Sequence, residues 1–289
     1  MRYLVSARPL ITILFSFSLA LAEETPEVAR AQKQYSQTDY DGALSTLNAV
    51  ASKSSAEWLL IGQSWFMKTE FKKASESLEK AVAAAPTDAG AWLWLGRAYG
   101  RRAETSSMLS APGLANKCRQ AFEKSVELNP RNREALNDLF EYYLQAPGFL
   151  GGGESKAKGL IDKIAALDPA ERHFAEARLA ESHKEYVTAE SQLRRAMELA
   201  PTQIGRAINL AKFLARRGRI AESEVTFAKA EQINPNDPTL LYERAATYID
   251  GKRNLTMAKA LLERYLKSPL TPDNPPREQA RRLLAKAGE

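Results

Sequence analysis

Few residues of this 289-residue chain are of a type that could carry covalent or metal chemistry. The chain has one cysteine, Cys118, and two histidines, His173 and His183. A zinc site takes several cysteine, histidine or carboxylate ligands at close spacing, and a cysteine nucleophile needs a base beside it. The histidines are too far apart in sequence to lie on adjacent turns of one helix face. We therefore predict no metal site, no cofactor and no enzymatic activity, and we assign Cys118 to packing.

Three consecutive glycines at 151–153 could cradle a phosphate group. A phosphate-binding loop follows a strand and has the form G-x-x-x-x-G-K-[ST], whereas here Glu154 follows the last glycine and the flanks have helical periodicity. The glycines therefore do not predict phosphate binding. The spacing of the acidic residues also singles out no pair as general acid and base, so an enzyme with its site in an inserted loop is the weakest alternative.

The composition indicates a folded and mildly basic protein. Hydrophobic residues make up 44% of the chain, which is more than a disordered protein of this length would have. The 41 lysines and arginines exceed the 35 acidic residues by a net charge of +6. This excess is too small to argue for binding to DNA or RNA, and we predict no nucleic-acid partner.

The first 22 residues have the layout of a secretory signal peptide. Arg2 and Arg8 precede an uncharged apolar run over 10–22, which ends in the small-residue pattern Ala20-Leu21-Ala22. The run is shorter than the roughly 20 residues of a membrane-spanning helix. We predict cleavage near Ala22, export to the periplasm or beyond the cell, and no integral membrane span afterwards. A retained signal anchor is the alternative.

A pattern that begins near residue 58 returns 34 residues later. Both copies have a bulky residue, an apolar–glycine pair and an aromatic residue at one spacing: Trp58, Ile61, Gly62 and Trp65, then Trp92, Leu95, Gly96 and Tyr99. Each copy continues with small and large residues and a proline: Phe71, Ala74, Leu78, Ala81 and Pro86, then Cys118, Phe122, Ser125 and Pro130. The pattern resembles the tetratricopeptide repeat (TPR), a 34-residue helix–turn–helix unit.

The resemblance implies an all-α fold, a right-handed α-solenoid of about seven TPR units with a C-terminal capping helix. The whole of 23–289 is expected to form one solenoid, since each unit packs mainly on its neighbours. The repeats are predicted at about 24–54, 55–88, 89–132, 133–171, 172–203, 204–237 and 238–272, with the cap at 276–287. The fifth repeat fits least well, because Pro169 and Pro201 are 32 residues apart rather than 34.

Local signals agree with this division into helices. Gly62 and Gly96 would lie inside a helix, where glycine costs about 1 kcal/mol relative to alanine, so a neighbouring helix is expected to approach closely there. Prolines that follow apolar stripes end helices, and nearby side-chain oxygens cap the next ones. The predicted caps are Asp88, Asn132 and Asp237.

Two insertions interrupt the period. The third repeat has 44 residues, with the excess around 101–117, and the fourth is long at 146–153. Both lie between the helices of a pair, so both should project from one edge of the solenoid. They are either elongated turns or a contact surface, in which case Phe149 and Leu150 would meet a partner.

By the family resemblance, fixed positions of each first helix line the concave face. The predicted groove residues are Leu59, Leu93, Asn137 and Ile208 at position 5, Gln63, Arg97, Glu141 and Lys212 at position 9, and Phe66, Arg101, Gln145 and Arg216 at position 12 or 13. Arg178 joins them if the fifth repeat keeps its register on the turn side. The mostly basic lining predicts an extended acidic peptide or helix as partner. Alternatively, these are ordinary solvated charges. The Lys/Asn carboxylate clamp of some family members is not matched.

The sequence therefore predicts a non-enzymatic protein–protein interaction scaffold in the bacterial cell envelope, which binds a partner peptide or helix in its groove. The alternative is a periplasmic ligand-binding or transport-associated helical accessory protein. A small molecule in a closed central cavity would favour this alternative. Both functions rest on analogy with other arrays of this type.

Overall fold

The computed structural model describes residues 25–288, which form fifteen α-helices and no strand. The predicted all-α solenoid is confirmed. The predicted signal peptide at 1–22 lies outside the described residues. Within them, no helix is both long and apolar enough to cross a membrane.

Fourteen of the helices form seven helix–turn–helix pairs, and the last helix caps the array. We call the first helix of each pair the A helix and the second the B helix. The pairs are α1 (Pro26–Ser36) and α2 (Tyr40–Asn48), α3 (Ser55–Met67) and α4 (Phe71–Ala84), α5 (Ala89–Thr105) and α6 (Ala111–Leu128), α7 (Arg133–Gln145) and α8 (Glu154–Ala165), α9 (Pro169–Ser182) and α10 (Tyr186–Leu199), α11 (Ile204–Arg216) and α12 (Ile220–Ile233), and α13 (Pro238–Asp250) and α14 (Leu255–Lys267); α15 (Arg277–Lys286) is the cap.

Close approach between the two helices of a pair explains the interior glycines. A β-carbon at Gly62 would lie 2.4 Å from Cγ of Leu78, and one at Gly96 would lie 2.5 Å from the ring of Phe122. A side chain at either position would collide with the partner helix, so glycine is kept despite its cost in helix propensity. The predicted caps also hold, since Asp88, Asn132 and Asp237 each accept hydrogen bonds from the first turn of the following helix.

The boundary between the fourth and fifth repeats lies three residues earlier than predicted. Helix α9 begins at Pro169, so the predicted division between 171 and 172 falls inside this helix. Asp168 caps α9, and its Oδ1 accepts from the amides of Ala170 at 2.9 Å and Glu171 at 3.1 Å. Pro169 therefore starts a helix, where its missing N–H costs nothing, rather than ending the preceding one. The distance between Pro169 and Pro201 therefore does not measure the fifth repeat, since Pro169 begins an A helix and Pro201 follows a B helix.

The insertion at 101–117 is mostly helical and is not the extended loop that the sequence allowed. Helix α5 has 17 residues and α6 has 18, against 13 and 14 in the preceding pair. Each helix is thus about one turn longer, and only residues 106–110 form the connecting loop. The third pair therefore extends further beyond the edge of the solenoid than its neighbours.

The glycines at 151–153 shape a tight return of the chain onto the end of α7. A 3-10 turn over Gly148–Leu150 leads into Gly151, whose φ of 81° lies in the left-handed region. A β-carbon at Gly152 would lie 1.8 Å from the carbonyl oxygen of Ala146, so no other residue fits. The amide of Gly153 donates to the Tyr143 carbonyl at 2.8 Å. The glycines thus serve backbone packing.

The C-terminal end of the array meets the N-terminal end. Residues 268–276, which we call the strap, connect α14 to the cap helix α15. Tyr265 donates its hydroxyl hydrogen to the carbonyl of Pro275, and the amide of Asn274 donates to the carbonyl of Thr271 at 3.0 Å, so the strap has a defined shape. Immediately after it, the Arg277 guanidinium donates to the hydroxyl of Thr38, in the turn of the first repeat. This contact brings the two ends of the seven-repeat array together, and we call the array the ring.

Candidate functional site

The inner face of the ring holds an open cavity of about 700 Å³, which we call the chamber. Its walls come from the A helices of repeats two to four, from α6 and from the strap on the opposite side. The apolar part of the wall includes Phe66, Trp94, Phe122, Tyr142 and Leu150, and the strap contributes Pro272, Asp273, Asn274, Pro275 and Pro276. Concave apolar pockets of this size, with a few polar groups, are typical binding sites.

Aromatic rings on successive A helices hold one another in the chamber wall. The rings of Phe66 and Trp94 meet edge to face, with centroids 5.4 Å apart and planes at 79°. Phe71 meets Phe66 in the same manner at 5.3 Å. Such pairs fix the ring orientations beyond what burial alone would do. Tyr142 donates to the Leu150 carbonyl at 2.9 Å, so the wall has a shape that is present before any ligand arrives.

The polar part of the wall consists of ion pairs between neighbouring A helices. The Arg97 guanidinium lies 2.6 Å from Asp138 and 2.8 Å from Glu134, both on α7. Burial raises the pKa of Asp138, although the adjacent Arg97 opposes this effect. Arg101 bonds to Glu104 on its own helix. The positive charges predicted to line a basic groove are therefore already neutralised.

Position 9 of the A helices continues this pattern into the fifth repeat. Arg178 lies on α9 at this position, as its register on the turn side predicted. Its guanidinium pairs with both carboxylate oxygens of Glu141, at 2.9 and 3.0 Å. This two-point contact fixes the fourth repeat against the fifth and leaves neither charge unpaired.

The other predicted groove residues lie away from the chamber. Leu93 and Ile208 are buried between helices and cannot present an apolar surface to a partner. Asn137 donates to Glu171 at 3.1 Å and so connects α7 to α9. Leu59 and Gln63 are half-buried on α3 and do not line the chamber.

Lys212 and Arg216 lie on α11, beside a separate cavity of about 340 Å³. Lys212 pairs with Glu243 at 2.5 Å, and Arg216 pairs with Glu181 at 2.7 Å. These pairs connect α11 to α13 and α9. The predicted groove residues thus divide between the chamber and the joints that connect repeats.

Cys118 lies in the chamber wall but is almost fully buried. Burial raises the pKa of its thiol to about 12, and the carboxylates of Asp138 and Glu104 add to this effect. At neutral pH the thiol is therefore protonated, which agrees with packing rather than nucleophilic chemistry. The two histidines have unrelated partners: His173 bonds to Gln192 at 2.5 Å, and His183 bonds to Glu154 at 2.9 Å.

The two inserted segments expose apolar side chains at one edge of the ring. Phe149 is 81% exposed, whereas Leu150, predicted to join it in a partner contact, is half-buried and lines the chamber. Met108 and Leu109, at the tip of the longer insertion, are 93% and 96% exposed. Sequence reasoning placed an insertion there but did not single out these two residues.

Several chamber residues escaped sequence reasoning. Trp94 lies outside the stripe of apolar repeat positions, and a bulky aromatic residue there is the signal that could have found it. Asp138 and Tyr142 occupy positions of α7 that the family pattern does not assign to the groove. The strap gave no signal at all, because a connection between repeats has no pattern that indicates which distant helices it will meet.

Comparisons with known proteins support the fold. No protein-family model and no curated protein matches the sequence. A tetratricopeptide repeat protein from Parabacteroides merdae is similar in structure, with 14% identity, 91% of this chain and 98% of that chain covered, and a TM-score of 0.57. The human IFIT1 dimer with PPP-AAAA matches with 19% identity, covering 83% of this chain and 54% of that chain, at a TM-score of 0.54.

The APC/C hetero-tetramer Cut9–Hcn1 is a third structural neighbour. It matches with 15% identity over 91% of this chain and 49% of that chain, at a TM-score of 0.50. Likeness at these identities establishes the fold, which is that of TPR solenoids. It does not carry over what these proteins bind.

Proposed function

We propose that this protein is a scaffold that holds a partner protein or peptide inside its ring and carries out no chemistry of its own. The chamber is the observation that carries this proposal. Its wall is aromatic, pre-shaped and closed on one side by the strap, as expected for a surface that takes side chains of a partner. The same fold in the Cut9–Hcn1 assembly supports the general role.

A cavity-filling substitution tests this function. Ala103 lies on α5 in the chamber wall and is only half-buried, so Ala103→Trp should occupy the chamber without disturbing the core. A photo-crosslinking residue at Gln145, an exposed residue of the wall, would first identify the partner by mass spectrometry. The purified partner should then bind the Ala103→Trp variant at least tenfold more weakly than the wild type, in a calorimetric titration.

Matched controls lie on the outer surface. Ala221→Trp on α12 adds the same bulk at an exposed position away from the chamber and should leave the affinity unchanged. A crosslinker at the exposed Lys229, also on α12, should capture no such partner. Equal binding by the Ala103→Trp variant and the wild type would contradict the proposal.

The location in a bacterial cell envelope is part of the same proposal and rests on the N-terminal sequence. The mature protein in a periplasmic fraction should begin at Glu23, which N-terminal sequencing would establish. A chain that keeps residues 1–22 and stays with the membrane would favour the retained anchor.

The size and apolar lining of the chamber, which is open to solvent, also favour a second candidate, a periplasmic accessory protein that binds a small molecule. A cavity of about 700 Å³ lies within the range of small-molecule sites. Native mass spectrometry of protein purified from its own organism should then show a retained ligand, which the Ala103→Trp variant would lack. Binding of a nucleic acid by this protein would contradict the expected absence of a nucleic-acid partner.

A further inference from the structure

The charges around the chamber are unequal in number. Four carboxylates lie in its wall, whereas it has only two guanidinium groups. The carboxylates are Glu104, Asp138, Glu141 and Asp273, and the guanidinium groups are Arg97 and Arg101. Glu141 pairs with Arg178 of α9, which is not a wall residue, so the wall carries one carboxylate more than its cationic partners.

Both guanidinium groups are already engaged. Arg97 is held between Asp138 and Glu134, and it also lies over the Trp94 ring at 5.1 Å. Arg101 bonds to Glu104 and lies over the ring of Phe71 at 5.1 Å. An anion entering the chamber would have to break one of these pairs to gain a cation, and it would leave a carboxylate without its partner.

Asp273, unlike the two arginines, is a charged group of the wall that has no partner within residues 25–288. Its carboxylate lies at the strap side of the chamber, is exposed, and forms neither an ion pair nor a hydrogen bond in that part of the chain. A cation that reached it would gain a partner and break no existing pair. The field of the chamber therefore favours a cation at the strap and an apolar group against the aromatic wall.

We infer that the chamber takes an aromatic side chain with a lysine or arginine beside it, from an extended segment of a partner protein. This inference rests on the proposed function and gives the chemistry of the partner. The aromatic group packs beside Trp94 and Tyr142, and the cation pairs with Asp273. In place of the acidic partner expected from the sequence we infer a basic one, because both arginines of the wall already pair with carboxylates.

Three synthetic peptides test this assignment. Each has twelve residues in a Gly-Ser background, with Phe-Arg, Phe-Glu or Ala-Arg at its centre. The Phe-Arg peptide should bind the purified protein, and the other two should bind at least tenfold more weakly in calorimetric titrations. The Ala103→Trp variant, whose added ring fills the chamber, should also bind the Phe-Arg peptide at least tenfold more weakly than the wild type.

Substitutions of Asp273, with one control, distinguish the effect of the charge at this position on peptide affinity from the effect of the net charge of the protein. Asp273→Lys should weaken binding of the Phe-Arg peptide at least tenfold, and Asp273→Asn at least threefold. Glu76→Lys changes the net charge as much as Asp273→Lys does, at an exposed position of α4 outside the chamber, and should leave the affinity within twofold.

Stronger or equal binding of the Phe-Glu peptide would overturn the inference, and so would equal binding of the Phe-Arg peptide to the wild type and the Ala103→Trp variant. Either result would leave the proposed function standing as long as the crosslinked partner still binds the wild type and not the Ala103→Trp variant. If the crosslinked partner also bound the wild type and the Ala103→Trp variant equally, both the inference and the proposed function would be rejected.

Discussion

The joints between repeats are built in two different ways. At three of them, a tyrosine of the A helix donates to a glutamate of the preceding B helix at 2.7 Å. The pairs are Tyr99 with Glu79, Tyr143 with Glu123, and Tyr248 with Glu224. The fifth and sixth repeats have Ala180 and Leu214 at the corresponding position, which offer no hydroxyl group.

At those two joints, arginine–carboxylate pairs connect the repeats instead, such as Arg178 with Glu141 between the fourth and fifth repeats. Arg206 of α11 reaches Asp168 at 3.2 Å and Glu171 at 2.8 Å, and the three side chains are only 8%, 10% and 13% exposed. The buried residues of α9 are all alanines: Ala170, Ala175, Ala177 and Ala180. Large apolar side chains pack between repeats two to four, whereas the joint between the fifth and sixth repeats adds buried charge to an apolar cluster that includes Leu193, Leu210 and Phe213.

The largest loss of folding stability should come from removing Arg206 from the buried charge cluster. Arg206→Ala leaves Glu171 without its ion-pair partner and Asp168 with only the more exposed Arg133, while both carboxylates stay largely buried. We expect a loss of about 3–5 kcal/mol in the free energy of unfolding at pH 7. Urea denaturation followed by circular dichroism would measure it.

The control uses an exposed ion pair of the same type. Arg195 and Glu198 lie 3.1 Å apart on the surface of α10, so Arg195→Ala should change stability by less than about 0.5 kcal/mol. Comparable losses in the two variants would show that burial of the cluster does not matter.

A smaller loss of stability is expected from a substitution among the large apolar side chains of the third repeat. Gly96→Ala places a methyl group 2.5 Å from the Phe122 ring, and we expect a loss of about 1–3 kcal/mol in spite of the better helix propensity of alanine. Gly159→Ala in α8 meets no atom within 4 Å and should instead stabilise the protein by up to about 1 kcal/mol. Thermal unfolding of the two variants should therefore shift in opposite directions. Shifts of the same sign would contradict the close approach of α5 and α6.

The smallest expected effect is the dependence of folding stability on pH through the carboxylate of Glu224. Burial would raise the pKa of Glu224, but hydrogen bonds from Tyr248, Arg253 and Arg244 outweigh it and lower the pKa below its ordinary value. The ionised group therefore stabilises the folded state at neutral pH. This contribution is complete above the ordinary carboxyl pKa and is lost as the pH falls through the lowered value.

Glu224→Gln tests this at the joint between the sixth and seventh repeats. The wild type should be more stable than the variant at pH 6, and the difference should shrink as the pH falls below about 4.5. Urea midpoints at several pH values between 6 and 3 would show the convergence. A difference that stays constant over this range would mean that ionised Glu224 does not stabilise the joint.

The sequence by itself determined the number and kind of repeats. Apolar stripes, interior glycines and capping side chains act within one helix or between the two helices of a pair, so they leave a local pattern. For that reason Gly62 and Gly96 predicted close approach correctly, and Asp88 and Asn132 marked helix starts.

The tertiary structure alone decided the site. The partner of Arg97 lies 41 residues away, and Thr38 meets Arg277 across 239 residues. Periodicity places such residues on a face but does not say which charges are neutralised there or where the two ends of the array meet. Those outcomes depend on the small rotations between repeats, which add up to the curvature of the whole array. This curvature places the strap opposite the aromatic wall, so that the concave face becomes the chamber.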